Sequence, residues 1–132
     1  VCLVVCGELP YAEGGGDTPE IKLSDCDEQL IATLADFGAR VVLLVVSGRP
    51  LSISPDTLAR LAGLVACWLP GSEGGGVADV LFGAAPFSGK LSFTWPKSAQ
   101  HGRYEKRRAN PLFACGFGLE TSARPEALPD VQ

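Results

Sequence analysis

The amino-acid sequence predicts an α/β fold, with an open and mainly parallel sheet and helices on both of its faces. Three short runs are apolar and rich in valine or leucine: "VCLVVC" (1–6), "RVVLLVVS" (40–47) and "LVACWLP" (64–70). The first run is typical of a strand buried on both faces, and the second of a central parallel strand. Because helical segments alternate with these runs, the strands are expected to be parallel and joined by right-handed crossovers.

The first helix is predicted between Ser24 and Gly38. Ser24 is a favourable N-cap residue, with Asp27 in the capping-box position, and Gly38 is a plausible terminator. The apolar residues expected on one face of this helix are Leu30, Ile31, Leu34 and Phe37.

Two shorter helices and one further strand follow. Pro55 fits the first turn of a helix over about 56–62, and Gly83 closes a helix over 77–83. The segment "GKLSFTWP" (89–96) alternates apolar and polar residues, which predicts a half-exposed edge strand. The remainder, about 97–132, is predicted to be irregular.

The composition of the chain limits the classes of function that are possible. The chain has 132 residues, of which 46% are hydrophobic, enough for one compact domain with a core. The net charge of −4 and the pI of about 4.9 argue against a nucleic-acid partner. The basic cluster "RYEKRR" (103–108) is interpreted as a solvated loop. No apolar run approaches the roughly 18 residues of a membrane span. Since the chain starts at Val1 and contains no Met, we expect it to be processed or cut from a longer chain.

Several common motifs are absent from the sequence. The segment "GAAPFSGK" (83–90) has neither the spacing nor the hydroxyl residue of a phosphate-binding loop, and "GSEGGG" (71–76) lacks the spacing of a dinucleotide site. No G-x-S-x-G elbow is present, and the only histidine, His101, has no recognisable catalytic partner. The five cysteines form no C-x-x-C pair. We therefore expect neither a metal nor a cofactor.

Carboxylates remain as candidates. The loop "GELPYAEGGGD" (7–17) follows the first strand and carries Glu8, Glu13 and Asp17. Because the carboxyl ends of parallel strands share one edge of a sheet, this loop should lie beside the turns that follow the second and third strands. Glycosidic bond cleavage requires two carboxyl groups, and a mobile loop can deliver one of them. A plain surface turn is the alternative on loop composition alone.

Four blocks of the sequence resemble family 3 glycoside hydrolases, in the branch of β-glucosidases and exo-β-glucanases. "GELPYAEGGGD" resembles the catalytic-acid loop of that family, and "VVLLVVSGRPLSI" (41–53) the strand and turn that follow it. The segment from Leu64 to Ser98 is similar almost throughout to the family's next block, and "NPLFACGFGLET" (110–121) to its closing motif. The resemblance covers about residues 1–121.

The resemblance implies that residues 1–121 are part of a C-terminal α/β sandwich domain, with 122–132 as a tail or linker. It implies retaining hydrolysis of β-glucosides or β-glucans, with a nucleophilic aspartate on an N-terminal (β/α) barrel domain of the same parent chain. Glu13 is then the expected acid/base residue and Glu8 the second choice, with a more fixed, hydrogen-bonding role. Asp17 is expected to orient the loop or to contact the sugar, and Tyr11 to contact the sugar.

The resemblance also suggests a periplasmic or secreted protein, although the sequence itself does not give the compartment. The partners expected are a glucoside or oligosaccharide and the barrel domain. Two alternatives remain open: a non-catalytic carbohydrate-contacting or structural module, and a flavodoxin-like ligand-binding domain.

Four residues outside the acidic loop complete the predictions. Arg49 is predicted to pair with a carboxylate or to brace a domain contact, and Trp68 and Trp95 to pack in the core rather than to stack on sugars. Glu73 is a weaker site candidate because it is also placed to cap the third helix, predicted to begin near Val77.

Overall fold

A computed structural model describes residues 1–98 and 111–122. Its main sheet has three parallel strands in the order β1 (Cys2–Gly7), β2 (Val41–Val46), β3 (Leu61–Trp68). The helices between and after them are α1 (Asp25–Asp36), α2 (Pro55–Arg60) and α3 (Gly74–Phe82). The predicted open parallel sheet, with β2 at its centre, is confirmed. His101 and the basic cluster at 103–108 lie outside the described residues.

Local sequence explains where the helices begin and end. The Ser24 hydroxyl accepts a hydrogen bond from the backbone N–H of Asp27, which confirms the predicted N-cap of α1. Ser54 caps α2 in the same way, with Pro55 in the first turn. Beyond α1 the chain turns through Gly38, where φ is +82° and only glycine is unstrained.

The core lies on one face of the sheet. Val4 and Cys6 of β1 are in register with Leu43 and Val45 of β2, and all four are buried. From α1, Ile31 packs onto this face and is fully buried, which stabilises the fold by about 1.5–3 kcal/mol. The remaining fully or nearly fully buried apolar members of this core cluster are Leu23, Val41, Leu51, Ile53 and Trp95.

The exposure of the opposite side of β1 contradicts the prediction that this strand is buried on both faces. Leu3 and Val5 are 46% and 64% exposed, so β1 is not buried on both faces, and within the described residues no helix covers that side of it. A similar correction applies to α1, where Leu30 and Phe37 are exposed, whereas Ile31 is buried and Leu34 packs against the core as predicted. A run of apolar residues in the sequence shows that a segment is hydrophobic, but it does not show whether a neighbouring element covers each of its faces.

The predicted edge strand over 89–96 is also corrected. Only Trp95–Pro96 (β4) is a strand, and it pairs antiparallel with Pro111–Phe113 (β5) in a separate sheet of two strands. Trp95 is nevertheless buried, and its indole Nε1–H donates to the Leu51 carbonyl at 2.8 Å, so its predicted core role is confirmed.

Candidate active site

Three loops meet at the carboxyl edge of the sheet, as the parallel topology predicts. The backbone N–H of Glu8 donates to the Val46 carbonyl at 3.2 Å, where β1 and β2 end. The backbone N–H of Ser47 donates to the Trp68 carbonyl at 3.0 Å, which joins the ends of β2 and β3. These bonds bring the segment from Glu8 to Asp17, here called the carboxylate loop, beside the turn that carries Arg49.

Arg49 pairs with Glu8, which confirms that this arginine has a carboxylate partner. Its Nη2 and Nε lie 2.6 and 2.9 Å from Glu8 Oε1, and Nε also lies 3.2 Å from Oε2. The two side chains are 24% and 18% exposed. Because several charge-assisted bonds join two partly buried groups, this pair is held more firmly than an ordinary surface ion pair.

Tyr11 packs inside the same arrangement. Its ring lies under the Arg49 guanidinium, 4.6 Å from centroid to Cζ, and its hydroxyl donates to Glu8 Oε2 at 3.2 Å. Gly16 is buried against the ring, so closely that an added Cβ would lie 2.3 Å from Tyr11 Cδ2. The position therefore excludes any side chain unless the ring moves.

The electrostatics follow from these contacts. The hydrogen bond that Arg49 donates to Glu8 raises the pKa of Arg49, with smaller contributions from Tyr11 and Asp17. Partial desolvation raises the pKa of the Tyr11 hydroxyl, and the charge of Glu8 adds to the effect. Arginine therefore stays a cation, and Tyr11 stays a hydrogen-bond donor, at any pH near neutrality.

Glu13 has a different environment from Glu8. It begins a short 3-10 helix, Glu13–Gly16, and its φ of +48° is in the left-handed region that non-glycine residues rarely adopt. Its side chain is exposed, and within the described residues its carboxylate has no hydrogen-bond or ion-pair partner. Strained backbone of this kind recurs at functional sites.

Asp17 ends the carboxylate loop. Its backbone N–H donates to the Gly14 carbonyl at 3.1 Å, while its side chain is exposed. All four predicted site residues lie on the carboxylate loop, but their side chains have two different environments. Glu8 and Tyr11 contact Arg49, whereas Glu13 and Asp17 face solvent.

The aromatic residues near this edge form a packed group. Trp68, at the end of β3, contacts Phe93 and Trp95 with ring centroids 5.3 and 6.1 Å apart, and it is partly buried against the core. This packing agrees with the predicted core role. Trp68 also has φ of +53°, a backbone feature that the sequence did not indicate.

Glu73 occupies the N-cap position of α3, which begins three residues earlier than predicted. Its side chain makes no capping bond and instead accepts from the Ser72 hydroxyl at 3.0 Å.

Sequence reasoning missed the contact between Arg49 and the far end of the carboxylate loop. The Nη1 of Arg49 donates to the Gly16 carbonyl at 2.7 Å. The signal available was weak: an arginine in a strand-end turn and a glycine-rich loop at the neighbouring strand end.

Membrane spans and metal clusters are both absent from the described part of the chain. No helix there is both long enough and apolar enough to cross a bilayer. No group of three or more histidine, cysteine, aspartate or glutamate side chains there is arranged to hold a metal ion.

Fold and site define a class: an open parallel α/β domain that presents a carboxylate-bearing loop at the carboxyl edge of its sheet. The model of the glycosyl hydrolase family 3 C-terminal domain matches residues 1–121. The chain belongs to this family.

Individual relatives agree with that assignment. The chain is 37% identical over 127 residues to a lysosomal beta glucosidase of Dictyostelium discoideum, and 35% identical over 140 residues to a xylan 1,4-beta-xylosidase of Xylanibacter ruminicola. These matches cover 90% and 89% of this chain but only 16% of each relative.

The crystal structure of an exo-1,3/1,4-beta-glucanase from a Pseudoalteromonas species superposes with a TM-score of 0.79 at 36% identity. That match covers 96% of this chain and 18% of the glucanase chain. The shared region confirms the fold class, and the chain spans a small part of the length of the proteins it matches.

Proposed function

We propose that this chain supplies the acid/base loop of a retaining glycoside hydrolase that cleaves β-glucosides or β-glucans, with Glu13 as the acid/base residue. Glycoside hydrolysis is supported at family level by relatives named as a β-glucosidase, a β-xylosidase and an exo-β-glucanase. The observation that carries the proposal is the exposed, unpartnered Glu13 on a loop that, among the described residues, is anchored on both sides of it.

The chemistry requires a second carboxylate. A nucleophilic aspartate, proposed to lie on an N-terminal (β/α) barrel domain of the parent chain, attacks the anomeric carbon while Glu13 protonates the departing oxygen. Glu13, now a carboxylate, then takes a proton from a water molecule whose oxygen bonds to the anomeric carbon. The bond between that carbon and the aspartate breaks, which releases the sugar and restores the aspartate carboxylate. In retaining enzymes the two carboxyl groups stand about 5–5.5 Å apart. We therefore expect residues 1–132 alone to be inactive.

The contacts of the two glutamates favour Glu13 over Glu8. Both oxygens of Glu8 already accept hydrogen bonds from Arg49, and one also accepts from Tyr11. An oxygen occupied in this way cannot approach a glycosidic oxygen without breaking charge-assisted bonds. Glu13 has no such bonds to break within the described residues.

The other assignments are proposed on the same basis. Residues 1–121 are assigned to the sandwich domain and 122–132 to a tail. Asp17 is proposed as a sugar contact because its side chain is exposed at the end of the loop. Tyr11 is 42% exposed, so its free edge can contact the sugar while its hydroxyl remains on Glu8. Acid/base chemistry of this kind needs no cofactor.

The experiment compares three alanine variants in the parent enzyme. Glu13→Ala should lower kcat/KM for phenyl β-glucoside by about 10²–10⁴-fold, because the leaving oxygen is no longer protonated. Azide should restore turnover with an activated aryl glucoside and give the β-glycosyl azide, since the glycosyl-enzyme intermediate still forms.

Glu20→Ala is the matched control, because Glu20 is another exposed glutamate beyond the carboxylate loop, and it should leave kcat/KM unchanged. If Glu13→Ala retains normal turnover while Glu8→Ala does not, the acid/base residue is Glu8. No hydrolysis of any aryl glycoside by the unmodified parent enzyme would overturn the proposed function as a whole.

A further inference from the structure

One guanidinium group joins the two ends of the carboxylate loop. Arg49 contacts Glu8 through Nε and Nη2, and the Gly16 carbonyl through Nη1 at 2.7 Å. The two contacts are 41 and 33 residues distant along the chain, so they form only in the folded domain. Arg49 uses its planar set of donors for both anchors at once, which a lysine ammonium cannot reproduce.

Tyr11 fills the space between these anchors. Its ring stacks on Arg49 and contacts Gly16, and its hydroxyl bonds to Glu8. The set of Glu8, Tyr11, Gly16 and Arg49, here called the arginine clamp, therefore fixes the loop before and after Glu13.

Glu13 lies between the anchors in a segment with little packing of its own. A Cβ added at Gly14 or Gly15 would meet no atom within 4 Å, so these glycines provide no steric restraint. The local restraints are the backbone bonds from Gly15 N–H to the Ala12 carbonyl and from Asp17 N–H to the Gly14 carbonyl, both 3.1 Å. The position of Glu13 relative to the sheet depends on the clamp.

Resting on the proposed function, we propose that Arg49 is a positioning residue for the acid/base group and that it acts through the loop geometry. Glu8 and Tyr11 orient the guanidinium, and Arg49 in turn sets where the Glu13 carboxyl meets the leaving oxygen. A displacement of about 1 Å at a reacting group can reduce the rate by about a hundredfold. Loss of the clamp should therefore impair proton donation more than substrate binding.

The test measures how the rate depends on the leaving group, in the parent enzyme with Arg49→Lys. Phenyl β-glucoside needs its leaving oxygen protonated, whereas 2,4-dinitrophenyl β-glucoside does not. We expect kcat/KM to fall about tenfold to a hundredfold for the phenyl substrate and less than about threefold for the dinitrophenyl substrate. A parallel fall for both substrates, or no fall for either, overturns the proposal.

Two further variants keep the test decisive. Tyr11→Phe removes one hydroxyl while keeping the ring, so it should fold and give the same selective effect at smaller size; if Arg49→Lys does not fold, this variant alone decides. Arg60→Lys is the matched control, since Arg60 pairs with Asp36 away from the carboxylate loop. It should leave kcat/KM for both substrates unchanged.

A double variant separates this inference from the proposed function. If Arg49 acts through Glu13, adding Arg49→Lys to Glu13→Gln should lower kcat/KM for the phenyl substrate by less than about twofold more, because coupled residues are not additive. A full additional loss overturns the positioning role. If Glu13→Gln alone retains normal turnover, the acid/base assignment fails instead. If Glu13→Gln is impaired but Arg49→Lys is normal, only the positioning role fails.

Discussion

Gly16→Ala tests whether the Tyr11 ring is held in place. The three atoms closest to an added Cβ at position 16 all belong to this ring, at 2.3, 2.6 and 3.0 Å. Distances below 3.0 Å require movement, and the backbone at Gly16 is not in the positive-φ region, so the clash is the main cost. The ring cannot leave without losing its contacts to Glu8 and Arg49.

The free energies of those contacts give the expected loss of stability in Gly16→Ala. The tyrosine hydroxyl bond is worth about 0.5–1.5 kcal/mol. The stacking on the guanidinium is worth about 0.5–1 kcal/mol. Gly16→Ala should therefore lower the free energy of unfolding by about 1–2.5 kcal/mol, within the usual cost of overpacking of about 1–3 kcal/mol. The assay is equilibrium unfolding in urea, followed by tryptophan fluorescence.

Two comparisons make the result interpretable. Gly15→Ala is the matched control, because a Cβ there meets no atom within 4 Å, and it should change stability by less than about 0.5 kcal/mol. In a Tyr11→Ala background, Gly16→Ala should become nearly neutral. Equal costs for Gly15→Ala and Gly16→Ala, or an unchanged cost in the Tyr11→Ala background, would refute the reasoning.

Three further predictions concern strain, ionisation and the core. Glu13→Gly should be about 1 kcal/mol more stable than Glu13→Ala in urea unfolding, since glycine accepts φ of +48° without strain; equal stabilities would contradict this. Burial, with a smaller effect of Asp27, raises the pKa of the Cys6 thiol from 9.0 to about 12. Only the unfolded thiol ionises between these values, so stability should fall as pH rises from 9.0 to about 12, and Cys6→Ala should lack that part of the slope; identical slopes would count against it. Trp95→Phe should lower the free energy of unfolding by about 1–3 kcal/mol in thermal unfolding, because the Leu51 carbonyl loses its buried donor; a loss below about 0.5 kcal/mol, typical of a surface substitution, would exclude this role.

The elements that depend on local signals were predictable from the sequence. Apolar runs rich in valine or leucine indicated β1, β2 and β3, because branched side chains favour a buried sheet. Ser24 marked the start of α1 because its hydroxyl satisfies a free N–H group, and Pro55 marked the first turn of α2. The strand predicted over 89–96 was wrong because alternation alone does not supply a partner strand. Only Trp95–Pro96 finds one, in Pro111–Phe113.

The site was predictable to the level of topology. Parallel strands require that loops leaving their carboxyl ends meet, so the approach of Arg49 to the carboxylate loop followed from the order of elements. Which carboxylate Arg49 contacts did not follow, because Glu8, Glu13 and Asp17 all lie on the loop expected beside the turn that carries Arg49. The choice of Glu8 depends on the folded-back Tyr11 ring and the 3-10 helix at Glu13–Gly16, neither of which has a distinctive sequence pattern.

The two glutamates of the loop differ in the free-energy cost of fixing their backbone conformation. Glu8 follows β1 directly, and its backbone N–H continues the bonding to β2, so fixing it requires little beyond the strand itself. Holding Glu13 at a positive φ costs about 1–2 kcal/mol, and within the described residues its side chain makes no bond that offsets this cost. A hydrogen bond to a charged group, such as that between Arg49 and Glu8, contributes about 1.5–3 kcal/mol. The free energy that the arginine clamp contributes is thus large enough to offset the cost of the positive φ at Glu13, so the clamp can hold the loop in this conformation. The same contacts should therefore govern both the stability of the loop and the placement of its exposed carboxyl group.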